Sequence, residues 1–189
     1  MLKYCSLYSG SSGNCFFIQS DNTNILIDAG VSSKKIVSGL SEFNIDINNI
    51  DAILVTHEHI DHTKSLAILS NKYNIPVYAN KKTWAALGDI NNKIPESNKK
   101  IFNILQNFKI GDFKIFAFPI PHDAADPCGF NIYYNEKKVT VATDIGHVSQ
   151  ELLDHLKNSV SIILESNYDP EILKYSSYPF MLKKRILRK

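Results

Sequence analysis

Apolar positions in the first third of the chain fall into short runs separated by polar or glycine-rich turns. Leu2–Tyr8 and Asn14–Gln19 are apolar-rich and flank Ser9-Gly10-Ser11-Ser12-Gly13, which predicts two strands joined by a tight connection. Asp21-Asn22-Thr23-Asn24 predicts a second turn, and Ile25-Leu26-Ile27 a third strand ending at Asp28. Ser32 or Ser33 can cap a helix running to about Phe43, with Ile36, Val37 and Leu40 on one face. Ile50–Thr56 is a further strand, leading directly into His57.

The spacing of Leu66, Leu69 and Tyr73 predicts a helix over Thr63–Tyr73, followed by a strand at Pro76–Ala79 and a helix at Lys81–Leu87. Residues 88–100, rich in Asn and Lys, predict a loop. Phe113–Phe118 is a strand that runs into Pro119-Ile120-Pro121-His122, and Phe130–Tyr134 with Lys138–Thr143 forms a hairpin around Asn135-Glu136-Lys137. A helix at Ser149–Leu156 and a strand at Val160–Leu164 come next. Strands come first as a meander and then alternate with helices. That order predicts an α/β (α+β) sandwich with mixed sheets rather than a doubly wound parallel sheet. No repeat or low-complexity linker divides the 189 residues, so a single domain over residues 1–189 is expected.

Composition narrows the function classes. Hydrophobic residues at 44% and charged residues at 21% exclude a wholly disordered chain. No apolar run approaches the roughly 18–20 residues of a membrane helix, and no secretory signal is visible. Cys5, Cys15 and Cys128 are spaced like neither a disulfide framework nor a zinc knuckle, so a reducing, cytoplasmic setting is expected. The net charge of +2 is uneven: residues 172–189 hold six Lys/Arg and no Asp/Glu, leaving −4 on the rest. A body of that sign lacks the basic field of a protein that grips nucleic acid by charge alone. Phosphate chemistry there would lean on metal ions or lysines.

His57-Glu58-His59-Ile60-Asp61-His62 places four metal-ligating side chains within six residues, immediately after a strand. A turning backbone can converge His57 and His59 on one ion and aim Asp61 and His62 at a second. Imidazole with carboxylate suits zinc and tolerates manganese or iron. The bland alternative, a histidine-rich cap on a helix, accounts poorly for three of the six histidines in so short a span.

This H-x-H-x-D-H pattern resembles the signature of the metallo-β-lactamase fold superfamily, and further pieces follow in order. Asp28 matches an acidic residue that supports the metal loop, His122 a lone histidine after a strand, and Asp144 in Ala142-Thr143-Asp144-Ile145-Gly146 a carboxylate that bridges two metals. Ser9–Cys15, Leu26–Gly30, Pro121–Ala124 and Leu164-Glu165-Ser166-Asn167 are similar to the bacterial YycJ/WalJ group. The resemblance implies a four-layer αββα sandwich with a metal cleft at one edge. It implies His57, His59, Asp61, His62, His122 and Asp144 as ligands of one or two ions (Zn2+, with Mn2+ or Fe2+ as alternatives), with Asp28 orienting a liganding imidazole. It also implies hydrolysis by a hydroxide held between the metals, with Asp61 and Asp144 as the catalytic carboxylates. A phosphodiester, DNA cut by an exonuclease, is the implied substrate. A thioesterase, another hydrolase of the fold, or an inactive form keeping the fold stand as alternatives.

The resemblance further leads one to expect a late histidine completing the second metal site. His155, beside Leu152, Leu153 and Leu156, reads instead as a satisfied packing histidine, and His147 as an exposed helix cap. The chain is accordingly expected to lack the last strand and helix of the family. Ile172, Leu173, Phe180, Met181, Leu182, Ile186 and Leu187 would then form an apolar surface suited to self-association. Glu58 and Ile60 are given no chemistry, the Ser/Gly stretch is taken as a turn before a phosphate loop, and the cysteines as small buried hydrophobes.

Overall fold

The structure, a computed structural model, describes residues 1–165, 170–181 and 183. Strands β1 (Lys3–Tyr8), β2 (Cys15–Gln19), β3 (Asn24–Ile27), β4 (Ala52–Leu54), β5 (Val77–Asn80) and β6 (Lys99–Phe102) line up in that order as one sheet. The first three are antiparallel and the rest parallel. Strands β7 (Asn107–Ile110), β8 (Phe113–Pro119), β9 (Cys128–Tyr134), β10 (Lys137–Ala142) and β11 (Ser161–Leu164) form a second sheet, antiparallel except for the parallel β10–β11 pair. Both sheets are mixed, as the meander-then-alternation order predicts.

The helices are α1 (Ser33–Ser41), α2 (Ile60–Thr63), α3 (Leu66–Tyr73), α4 (Lys81–Ala86), α5 (Asp89–Lys93), α6 (Gln150–Leu156) and α7 (Pro170–Tyr175). Strand periodicity sorts side chains into layers. Phe16, Ile18, Ile25, Ile27, Ala52 and Leu54 join Phe113, Ile115, Phe130, Ile132, Val139 and Val141 between the sheets. The intervening Phe17, Leu26, Ile53 and Val55 pack against Ile36, Leu40, Leu66 and Leu69 of the helices outside the first sheet. Leu152 of α6 covers Phe118 and Ala142 on the far side of the second sheet. The result is the αββα sandwich. Strands buried on both faces explain why Ile25-Leu26-Ile27 is uniformly apolar rather than alternating.

One expectation needs correction. Residues 88–100 are not a loop throughout: they contain α5 and the start of β6. Ile94 is buried against the helical core with Ile90 beside it, and the buried Asn98 donates from Nδ2 to Ser70 O and to Asn74 Oδ1. Packing and side-chain hydrogen bonding override the polar composition there. The apolar C-terminal list divides: Leu173 is buried, Ile172, Phe180 and Met181 are exposed, and Leu182, Ile186 and Leu187 lie outside the described residues. Among the described residues no helix is long and apolar enough to cross a membrane.

Candidate metal centre

Strand β4 delivers the chain to Thr56 and His57, and the one-turn helix α2 then folds Asp61 and His62 back. Backbone bonds knit this turn to the ends of β2 and β3: Ala29 N–H to His62 O at 2.7 Å, Asn14 N–H to Asp61 O at 2.8 Å, and Gly30 N–H to Asn14 O at 2.8 Å. Glycine at position 30 is obligatory for this approach. A Cβ there would lie 1.5 Å from the carbonyl oxygen of Asp61.

Three imidazoles converge. His57 Nε2 lies 3.1 Å from His59 Nδ1, and His122 Nε2, from the β8–β9 loop, lies 3.3 Å from the same atom. Tetrahedral zinc with Zn–N bonds of about 2.0–2.1 Å spaces its ligand nitrogens about 3.3 Å apart, so this donor set fits a zinc-type ion. His57 is buried, and His59 and His122 are half-buried. Burial, then the neighbouring His62 cation, press the His57 pKa down to about 2, which keeps that ring neutral and able to bind metal.

A second group shares His57. The ligand atoms of His57, His62 and Asp144 lie within 4.8 Å of one another. His62 Nε2 is 2.8 Å from Asp144 Oδ2 and 3.6 Å from Asp61 Oδ2. Its other nitrogen, Nδ1, is 2.7 Å from Asp28 Oδ2, and both side chains are fully buried. Burial opposes a charge on His62, yet the Asp28 carboxylate together with Asp144 outweighs it and holds the pKa up at about 10. Burial would likewise raise Asp144, but the His62 hydrogen bond and charge pull it down to about 2.

Asp28 also accepts the Thr56 N–H at 2.9 Å on Oδ1 and the Thr56 hydroxyl at 2.8 Å on Oδ2. With its proton directed at Asp28, the Thr56 oxygen can only accept from His57 Nδ1, 3.0 Å away. Asp28 therefore fixes a proton on Nδ1 of both rings, His62 directly and His57 through Thr56, so that Nε2 of His57 is free for a ligand role and Nε2 of His62 becomes so once its own proton is displaced. Thr56 escaped notice in the sequence because a threonine before a histidine carries no signal of its own. Asn14 belongs to the Ser9–Cys15 stretch that carries the resemblance, without a chemistry of its own in the sequence; its amide Nδ2 stands 3.1 Å from His62 Nε2. Glu58 also has a contact, its Oε1 accepting the Ala125 N–H at 2.8 Å and fastening the His122 loop to the metal loop.

Five of the six residues expected as ligands fall in these two groups, and Asp61 lies outside both, its Oδ2 3.6 Å from His62 Nε2. His147 is exposed and outside both groups, and His155 stacks on Phe118 with ring centres 4.6 Å apart. The centre opens on a cleft of about 400 Å³ walled by Ser9, Ser11, Asn14, Asp61, Asp144 and Glu165. The Ser/Gly stretch makes its tight turn, Gly13 N–H bonding Gly10 O at 3.0 Å, and also forms a wall of this cleft.

The family model of the β-lactamase superfamily domain matches residues 23–176. The chain belongs to this superfamily. Exodeoxyribonuclease YycJ of Bacillus anthracis is 39% identical to it over 186 residues, covering 98% of this chain and 70% of that protein. Exodeoxyribonuclease WalJ of Streptococcus pneumoniae serotype 2 is 40% identical over 187 residues, with the same 98% and 70% shares. Among solved structures, the metallo-β-lactamase fold protein YhfI from Bacillus subtilis superposes with a TM-score of 0.69 at 16% identity, over 86% of this chain and 70% of that one. Zn2+-bound PqqB from Methylobacterium extorquens gives 0.70 at 14% identity, over 85% and 63%. These structural likenesses establish the metallo-β-lactamase fold for the superfamily member described here.

Proposed function

We propose that this metallohydrolase is a DNA exonuclease that cleaves phosphodiesters with one or two divalent ions, zinc or manganese, at the centre above. The observation that carries the reading is the pair of donor groups sharing His57 and opening on a cleft with carboxylates along its wall. The names of the two exodeoxyribonuclease relatives support the choice of substrate. Bound ions would acidify a water toward neutral pH and polarise a phosphoryl oxygen. His57, His59 and His122 would hold the first ion; His62 and Asp144, with Asp61 beside them, would hold the second. Asp61 and Asp144, facing the cleft, accept hydrogen bonds from the attacking water and orient it. Asp28 and Thr56 keep the rings in register throughout.

DNA is thus the proposed partner, and the three unpaired thiols support a cytoplasmic setting. Val160, Ile162 and Leu164 on and beside edge strand β11, with Ile172, Phe180 and Met181, are exposed and form the proposed self-association surface, which light scattering would test. The substrate reading is tested by incubating the protein and manganese with linear duplex DNA, a small cyclic nucleotide, a thioester and a lactam. Progressive release of nucleotides from DNA is expected. Hydrolysis of the thioester or lactam alone would overturn it.

A further inference from the structure

Asn14 has no titratable group, yet its side chain sits where the cleft wall meets the metal loop. The residue is 8% exposed. Its Oδ1 accepts the Gly10 N–H at 3.0 Å, and Gly10 aims that N–H from a φ of +142°, a conformation open to glycine. With Oδ1 engaged by a donor, the amide nitrogen has only one way to face: toward His62 Nε2, at 3.1 Å. The same Nε2 stands 2.8 Å from Asp144 Oδ2.

An amide N–H can bond that nitrogen only while its lone pair is free. A proton on Nε2 would serve Asp144 instead, and a cation on Nε2 would consume the lone pair outright. With either on Nε2, Asn14 keeps an oriented donor in the cleft wall and has no imidazole acceptor. A buried donor without an acceptor is unfavourable, so the loaded centre gains most from a ligand that supplies an oxygen there. No Lys or Arg lines the cleft among the described residues, and Asn14 is the one side-chain N–H donor that does. A neutral donor can hold an anionic oxygen without adding a charge that repels the cations.

We propose that the Asn14 side-chain amide donates a hydrogen bond to a non-bridging phosphoryl oxygen of the substrate in this cleft. The assignment rests on the phosphodiesterase reading, and it makes Asn14 a substrate-contacting residue. It also gives the Ser9–Gly13 turn a role, because the Gly10 N–H fixes which end of the amide faces the substrate.

The test uses the full chain loaded with manganese, with Asn14→Ala and Asn14→Asp beside wild type. Asp retains the oxygen that receives Gly10 N–H and lacks the amide donor. Metal content is read by elemental analysis, the affinity for inorganic phosphate by calorimetry, and kcat and KM with linear duplex DNA. Metal content should match wild type in both variants, while phosphate affinity and kcat each fall about 10- to 100-fold, the scale of a lost hydrogen bond to a charged group. Either variant keeping metal, phosphate affinity and kcat would overturn the assignment. So would loss of metal from both, which would make Asn14 a support of the metal loop. Wild type holding metal but neither binding phosphate nor cutting DNA would instead remove the phosphodiesterase reading, and this assignment with it.

Discussion

Asp28→Asn is the sharpest perturbation of the centre because it changes one atom's hydrogen-bonding sense and almost no volume. The native carboxylate is fully buried and receives three donors: Thr56 N–H at 2.9 Å, Thr56 O–H at 2.8 Å and His62 Nδ1 at 2.7 Å. Its backbone has a φ of 61°, a left-handed conformation that Asn tolerates as readily as Asp. The Thr56 N–H would hold the one remaining carbonyl oxygen of the substituted side chain in place, so the new NH2 would face Thr56 Oγ1 and His62 Nδ1. Both rings must then change. His62 would present Nδ1 as an acceptor and carry its proton on Nε2. The Thr56 hydroxyl, now receiving a bond from the amide, would turn its proton to His57 Nδ1 and drive that ring to the Nε2–H form too.

Two ligand lone pairs would thus be lost without disturbing the ligands' positions. Replacing such an orienting partner weakens metal binding about 10- to 100-fold, or about 1.4–2.7 kcal/mol per ion. Asp28→Ala is the poorer experiment. It strands three buried donors at about 1–3 kcal/mol each, enough to threaten a fold of about 5–15 kcal/mol. The assay is calorimetric titration of zinc into the stripped Asp28→Asn variant, with circular dichroism to establish that it folds. Both binding events should weaken, including the one at His57, His59 and His122, none of which touches Asp28 directly. Wild-type affinity at that trio would refute the relay through Thr56.

Other outcomes follow from the same geometry. His59→Ala should remove the ion from the first trio, since both neighbouring ligand nitrogens are placed around His59 Nδ1; unchanged metal by elemental analysis would sink that ligand set. The all-imidazole trio should favour zinc and the carboxylate-rich second set harder ions such as manganese, so titrations should show unequal events, and two equally tight zinc events would refute this. In the metal-free protein His62 is held at about 10, above its unfolded value of about 6.5, so its stabilisation is complete below pH ~6.5 and fades as pH rises toward 10. Zinc entering the second set at pH 8 should therefore expel about one proton, seen as a binding heat that varies with the buffer's ionisation enthalpy; a buffer-independent heat would contradict it.

Much of this was legible in the sequence, for identifiable reasons. The layers follow from strand alternation, and the metal-ligating residue types cluster too tightly to overlook. The missed elements lack such signals. Helix α5 and strand β6 sit in a segment of Asn and Lys whose order depends on Ile94 and on Asn98 bonding back to α3, contacts that composition does not reveal. The roles of Thr56 and Asn14 carry no such signal, because their importance lies in which of their atoms donates and which accepts. Residue type alone cannot state that. Glu58 occupies a variable position of the motif, and its bond to Ala125 spans 67 residues of sequence.

The position of the centre follows from a conflict the backbone resolves twice. Asp28 follows β3 of the first sheet and Asp144 follows β10 of the second, and both adopt left-handed backbone with φ of 61° and 54°. For a residue other than glycine that conformation costs roughly 1–2 kcal/mol, least for Asp and Asn. Each departure ends an extended strand abruptly and turns a carboxylate toward the seam between the sheets. Between the two carboxylates stands one imidazole, His62, 2.7 Å from the first and 2.8 Å from the second. The ring therefore ties the two sheets together at the edge where substrate would enter. The charge attraction that opposes the strain without metal is also the contact a cation must rearrange at Nε2. A rigid sandwich can thus carry a metal site whose second position is held shut by its own ligands until an ion displaces the proton.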